Sequence, residues 1–330
     1  MQNGHYMTGD GNHHRMVEVD MMGNTIHNWD MLERGYTMHH AISQDKQGNI
    51  LATVSKTSAK IANGKDVRIN DFIIKMDPEK GEILQEWDLV NMLDSARYGM
   101  TDYNLTADPY AQNASNWAHN NGIVEWENDY LATARYQGIF KFNKAGGIEW
   151  IISPHGYWRD RYLKLLLNPL HADGTPITDP DVIAGTKNCD DFEWPWGCHT
   201  AVPLPNGHIF YFNNGYGRNF KLDFTDRKNV YTCGIEYEVD EVNRTVRQVW
   251  QYGKERGTAY FTPARSGVQY LEQTGNRLIC PGMSNVLSNG NRGARVTEVD
   301  PETQEIVFEL ELEDAIYQRV YRMSLYPDNQ

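Results

Sequence analysis

Three histidines far apart in the chain, His40, His119 and His199, each open a short apolar stretch, in MHHAIS, WAHNNGIVE and CHTAVPL. They lie 79 and 80 residues apart, a nearly regular interval. At neutral pH an imidazole can act as nucleophile, general acid–base or metal ligand. Asn121 stands two residues after His119, on the same face if the segment is a strand. Arg135 lies on the next apolar stretch, LATARYQG. A guanidinium fork, an amide and several imidazoles together form a recognition set for a tetrahedral oxyanion. Taken singly, each histidine is a structural residue and Arg135 an ion-pair partner; three histidines in one repeat position argue for a shared site. A three-histidine metal site ranks second, because the neighbouring guanidinium would repel a cation, and no metal is assigned. The pairs His13-His14 and His39-His40 are not metal motifs, since adjacent strand residues face opposite ways. Serine-hydrolase, phosphate-loop and dinucleotide motifs are absent. Asp190 and Asp191 read as solvated loop charges.

The elements that must position these groups emerge from an internal repeat. Five segments share one pattern: 17–30, 73–88, 139–151, 235–250 and 296–310. Each has an alternating strand, a polar turn opened by Asp20, Asp77, Asn143, Asp240 or Asp300, and a second strand that usually ends at a Trp. Period-two alternation around such a turn predicts a β-hairpin. A second hairpin pattern precedes four of them, as in MHHAISQDKQGNILATVS and CHTAVPLPNGHIFYFNN. Four antiparallel strands per repeat make a propeller blade, so the expected fold is all-β, with the histidines converging on a central channel. Five blades are countable. The segment 320–327 should supply the inner strand missing from the N-terminal blade and so close the ring. Helical periodicity is confined mainly to 159–169. Trp29-Asp30 and Trp87-Asp88 lack the spacing of WD repeats and should pack between blades.

The formal net charge of −13 argues against nucleic acid and anionic membranes as partners, so an anionic substrate needs a local basic pocket. No stretch reaches the roughly 18 apolar residues of a membrane span. The N-terminus has no apolar core of a signal peptide and reads as strand and turn, which suggests a segment missing upstream. Cys189 and Cys198 either form a disulfide, in an oxidising compartment, or remain free. Cys233 and Cys280 read as buried thiols.

At WAHNN, LATARYQG, CHTAV, NNGYGR and QVWQYGKERG the chain resembles the bacterial arylsulfate sulfotransferases that need no nucleotide sulfate donor. The similarity runs from about Met38 to the C-terminus. The resemblance implies a six-bladed propeller with its active site in the central channel. It makes His199 the sulfated nucleophile, places His119, Asn121 and Arg135 on the sulfuryl oxygens, and makes His40 the remaining channel histidine. Tyr321 becomes a pocket tyrosine. Arg265 stands where a small hydroxyl residue is usual, as a second anion contact or a constriction. It further implies an aryl sulfate donor, a phenolic acceptor, no cofactor and an extracytoplasmic, periplasmic location, and it allows a homodimer. Five blades against six mark residues 1–330 as a single propeller domain lacking the family's N-terminal domain and one blade, or a ring that closes differently. Trp158, Trp194, Trp196, Tyr98 and Tyr103 are candidates for stacking on the aryl group, or else for loop packing. The competing readings are a metal-dependent hydrolase or lyase on the same fold and a propeller that only binds a protein or glycan.

Overall fold

A computed structural model describes residues 1, 3–10, 14–63, 66–97, 117–284, 292–317 and 320–321. It is a five-bladed β-propeller. Blade 2 runs Thr37–Gln44, Ile50–Asn63, Asp66–Met76 and Ile83–Asp88 from channel to rim, and blade 3 runs Asn120–Trp126, Asp129–Ala134, Gly138–Phe142 and Ile148–Ile152. Blade 4 comprises His199–Pro203, Ile209–Asn213, Cys233–Asp240 and Thr245–Tyr252, and blade 5 comprises Gly267–Tyr270, Arg277–Cys280, Ala294–Val299 and Ile306–Leu312. Every hairpin expected from the repeat is present and antiparallel.

Two blades depart from four strands. Blade 1 shows three, Tyr6–Asp10, Arg15–Val19 and Thr25–Asp30. The closing strand expected at 320–327 lies almost wholly outside the described residues. Blade 4 gains a fifth, parallel rim strand, Asn168–Leu170. The helix expected at 159–169 shrinks to one turn, Asp160–Leu163, because Asn168–Leu170 is drawn into that rim strand. Among the described residues no helix is long and apolar enough to cross a membrane.

The rim turns form for the reason the sequence suggests. The side-chain oxygens of Asp20, Asp77, Asn143, Asp240 and Asp300 each accept two backbone N–H groups from the turn they open. The Trp that ends each hairpin then clasps the next blade. Trp87 Nε1 donates to Lys144 O, Trp150 Nε1 to Glu241 Oε1, and Trp250 Nε1 to Pro301 O, each acceptor lying in or beside the next blade's turn. Trp29 lies against Gly81, where a side chain would overlap the indole and where φ is +65°. Packing between blades, expected for Trp29 and Trp87, is therefore a repeating device. Blade 5 carries Leu310 at the matching register, and it is exposed.

Candidate active site

The inner strands all begin irregularly. A register shift falls between Met38 and Ile42 in blade 2, Asn120 and Gly122 in blade 3, and His199 and Ala201 in blade 4. Left-handed backbone accompanies each shift, at His40, His119 and Thr200, and again at Arg265 and Ser266 before the inner strand of blade 5. Such bulges re-aim side chains at the rim of a sheet. Thr53 braces the bulge in blade 2, donating through Oγ1 to His39 O and accepting from Ala41 N. In blade 3 Thr133 Oγ1 donates to Asn121 Oδ1 at 2.7 Å, and a side chain at Gly122 would collide with that hydroxyl.

Register corrects the idea that the three histidines share one position. The residues paired with Ile50, Tyr130 and Ile209, which follow equivalent turns, are Gln44, Glu125 and Pro203. Counting back four from each reaches His40, Asn121 and His199, whereas His119 lies two residues earlier still. In blade 5 the same count from Tyr270 reaches Ser266, not Arg265. Ser266 is buried, and its hydroxyl accepts from Gly282 N. Arg265 is half-buried beside it, with its backbone carbonyl turned to Asn214.

The fold nevertheless brings the histidines together. His40 and His119 meet Nε2 to Nε2 at 3.1 Å, and the His40 and His199 rings lie 5.9 Å apart. His199 Nδ1 is 2.6 Å from Asn214 Oδ1 and 3.2 Å from Gly197 O. The amide nitrogen of Asn214 donates to Thr262 O and Arg265 O, which leaves its oxygen facing the imidazole. Two acceptors around Nδ1 favour, in the neutral ring, the tautomer with the proton on Nδ1 and the lone pair on Nε2. Asn121 is fully buried and spans two blades, donating from Nδ2 to Cys198 O at 2.8 Å. Arg135 donates from Nη2 to Pro263 O at 2.8 Å and stacks over Tyr216 at 4.5 Å. Burial pushes the His119 imidazole well below its ordinary pKa, and the charge of Arg135 adds to this while Asp71 opposes it.

Several members escaped sequence reasoning. His39 Nδ1 lies 3.2 Å from His40 Nδ1, and His39 Nε2 lies 3.6 Å from Asp71 Oδ1, so Asp71, His39, His40 and His119 form one line. Alternation had set His39 and His40 on opposite faces; the bulge overrides it. Asp71 is buried and also accepts from Ser55 Oγ and Asn120 N. Arg97, buried, donates to Tyr136 O, Gly156 O and Pro154 O and stacks over Trp158. Burial brings its guanidinium down to about 9. Arg97 and Arg135 border a small recess with Tyr136, Trp196, Tyr216 and Phe220. Of the residues added, Asn214 and Tyr216 lie in the quoted NNGYGR, and Thr133 and Tyr136 in LATARYQG.

Other expected residues fall elsewhere. Trp158 and Trp194 are core residues, bonded to Pro154 O and Val182 O, so of the three tryptophans only Trp196 borders that recess. Tyr98 and Tyr103 lie outside the described residues. Tyr321 is half-exposed at the last described position. The Cys189–Cys198 disulfide is not formed; all four cysteines are free. Cys189 points its thiol at Asp191, and Cys198 is enclosed in the core of blade 4.

A propeller that brings three histidines from its inner strands and their approaches, and the buried Arg135 that follows the second strand of blade 3, to one channel defines a class of enzyme-like site. The chain belongs to the arylsulfotransferase (ASST) family, whose model matches residues 1–322. It is 28% identical over 344 aligned residues to the arylsulfate sulfotransferase AssT of Escherichia coli O6:H1, and 29% identical over 345 to that of Lelliottia amnigena. Each alignment covers 95% of this chain and 57% of the relative, so the chain spans a little over half the length of these curated proteins. Among solved structures it is similar to a streptogramin B lyase, at 12% identity and a TM-score of 0.42, covering 95% of this chain and 80% of that one.

Proposed function

We propose that this chain is an aryl sulfotransferase that carries a sulfuryl group from an aryl sulfate ester to a phenol through His199. The observation that supports this most is the setting of His199: Asn214 Oδ1 and Gly197 O both face Nδ1, which favours the tautomer with its proton there and its lone pair on Nε2. In the first step the Nε2 lone pair attacks sulfur, an N–S bond forms, and the S–O bond to the ring breaks with its electrons leaving on the phenolate oxygen. A proton carried on His40, whose Nε2 faces Nε2 of the neutral His119, neutralises that oxygen. In the second step a phenol returns its proton to His40, its oxygen attacks sulfur, and the N–S bond breaks.

Charge on the peripheral oxygens needs preorganised donors. Arg135, stacked over Tyr216, supplies a guanidinium for them. Asn121, whose amide already ties blade 3 to blade 4, chiefly positions the strand leading to His199. Arg265 and Tyr321 are assigned to the outer part of the substrate. We propose, on the family resemblance, that the reaction runs outside the cytoplasm, in the periplasm.

Incubation with a chromogenic aryl sulfate, with and without added phenol, tests the reading. Chromophore release should rise strongly with phenol, and sulfated phenol should form in equal amount. Release that ignores phenol, with inorganic sulfate as product, would make this a hydrolase instead.

A further inference from the structure

The segment between blades 3 and 4 holds a second cluster of chemistry-bearing side chains, which takes no part in the proposed reaction. His171, Cys189 and Asp191 each offer one ligand atom, and these atoms all lie within 4.8 Å of one another. We propose that His171 Nδ1, Cys189 Sγ and an Asp191 carboxylate oxygen bind a divalent zinc ion, with water in the fourth position.

Geometry is the first argument. His171 Nδ1 is 3.0 Å from Asp191 Oδ1, and Cys189 Sγ is 3.1 Å from the same oxygen. The edges of a tetrahedron around zinc, with bonds of about 2.0–2.3 Å, measure about 3.3–3.6 Å. A shift of a few tenths of an ångström opens the cluster to that size. The donor set is the second argument. Imidazole, thiolate and carboxylate are the three side-chain ligands of protein zinc, and here they carry two negative charges between them, which match a divalent cation. The third is orientation. Asp191 Oδ2 accepts from Ala172 N at 2.9 Å, which fixes the carboxylate as an outer partner fixes a metal ligand. All three residues are half-buried, open enough for an ion to enter.

Zinc displaces the thiol proton of Cys189 on binding, as at any cysteine ligand. An ion here would tie His171, beside the rim strand Asn168–Leu170, to the stretch that runs from Cys189 into His199. It would close the loop that delivers the proposed nucleophile.

The test is titration of the reduced chain with Co²⁺, followed by competition with Zn²⁺. A thiolate-to-cobalt charge-transfer band should saturate at one equivalent and vanish as zinc replaces cobalt. Cys189→Ser should abolish the band, and His171→Ala and Asp191→Asn should each weaken cobalt binding at least about tenfold. X-ray absorption on the zinc-loaded wild type needs no variant and should show one sulfur at about 2.3 Å. Failure of the wild type to develop the band, its survival in Cys189→Ser, or a zinc shell of nitrogen and oxygen alone would each overturn the proposal. That last outcome would reassign the ion to imidazoles such as those of the channel.

Discussion

Asn214 Oδ1 lies 2.6 Å from His199 Nδ1, an acceptor that favours the proton on that ring nitrogen. Its own orientation is fixed by two carbonyls, Thr262 O and Arg265 O, on the loop entering blade 5. A histidine of blade 4 is thus oriented through an asparagine anchored on the loop entering blade 5.

Asn214→Ala should therefore lower kcat by about ten- to a hundredfold while KM changes less than threefold, because the imidazole can now turn and exchange tautomers. Steady-state kinetics, with thermal melting to confirm folding, provide the check. A KM rise at unchanged kcat would place Asn214 in substrate binding instead.

The line from Asp71 through His39 and His40 to His119 predicts a leaving-group effect. Proton donation matters most when the departing phenolate is basic. His39→Gln should slow transfer from phenyl sulfate about tenfold and from 4-nitrophenyl sulfate only slightly. A uniform loss across a series of donors would show that His39 serves the fold and not the proton.

Stability should fall on mild acidification. His119 has a folded pKa well below its unfolded value of about 6.5, so below that pH the unfolded chain binds a proton that the native chain refuses. The stabilisation is complete above about pH 6.5 and is lost as pH falls toward the folded pKa. His155, also depressed chiefly by burial, acts in the same direction. Urea unfolding at pH 7.5 and 5.5 should show the drop, and His119→Gln should reduce it. An unchanged midpoint in the wild type would mean that His119 is protonated in the folded state.

What could be read beforehand was whatever repeats. The Asp and Asn residues that open the rim turns and the Trp residues that close the hairpins recur, so the blades were legible, as were the histidines that the inner strands bring together. What could not be read depends on one-residue insertions in register. A bulge changes neither composition nor apolar pattern, so nothing betrayed that His39 turns toward His40, that His119 sits two residues off its counterparts, or that Ser266 takes the position expected of Arg265. Nor could spacing reveal that Asp191, which reads as a solvated charge, meets Cys189 and His171 from across a loop. Asp190 alone is exposed as expected.

The decisive prediction concerns His199 itself. A transferase that holds the group between two substrates must store it covalently, and His199, whose ring lies 5.9 Å from that of His40, is the proposed carrier. A sulfated imidazole is labile in acid, so trapping requires a rapid quench at high pH. Peptide mass spectrometry of enzyme treated with donor alone should show one added SO₃ on the peptide containing His199, and added phenol should remove it. His199→Asn should abolish donor cleavage and acceptor transfer together, since both half-reactions pass through one atom. His40→Asn and His119→Asn should slow both steps yet leave label detectable, because they move protons and do not carry the group. Donor cleavage that persists in His199→Asn, or label found repeatedly on another residue, would transfer the role of nucleophile elsewhere in the channel.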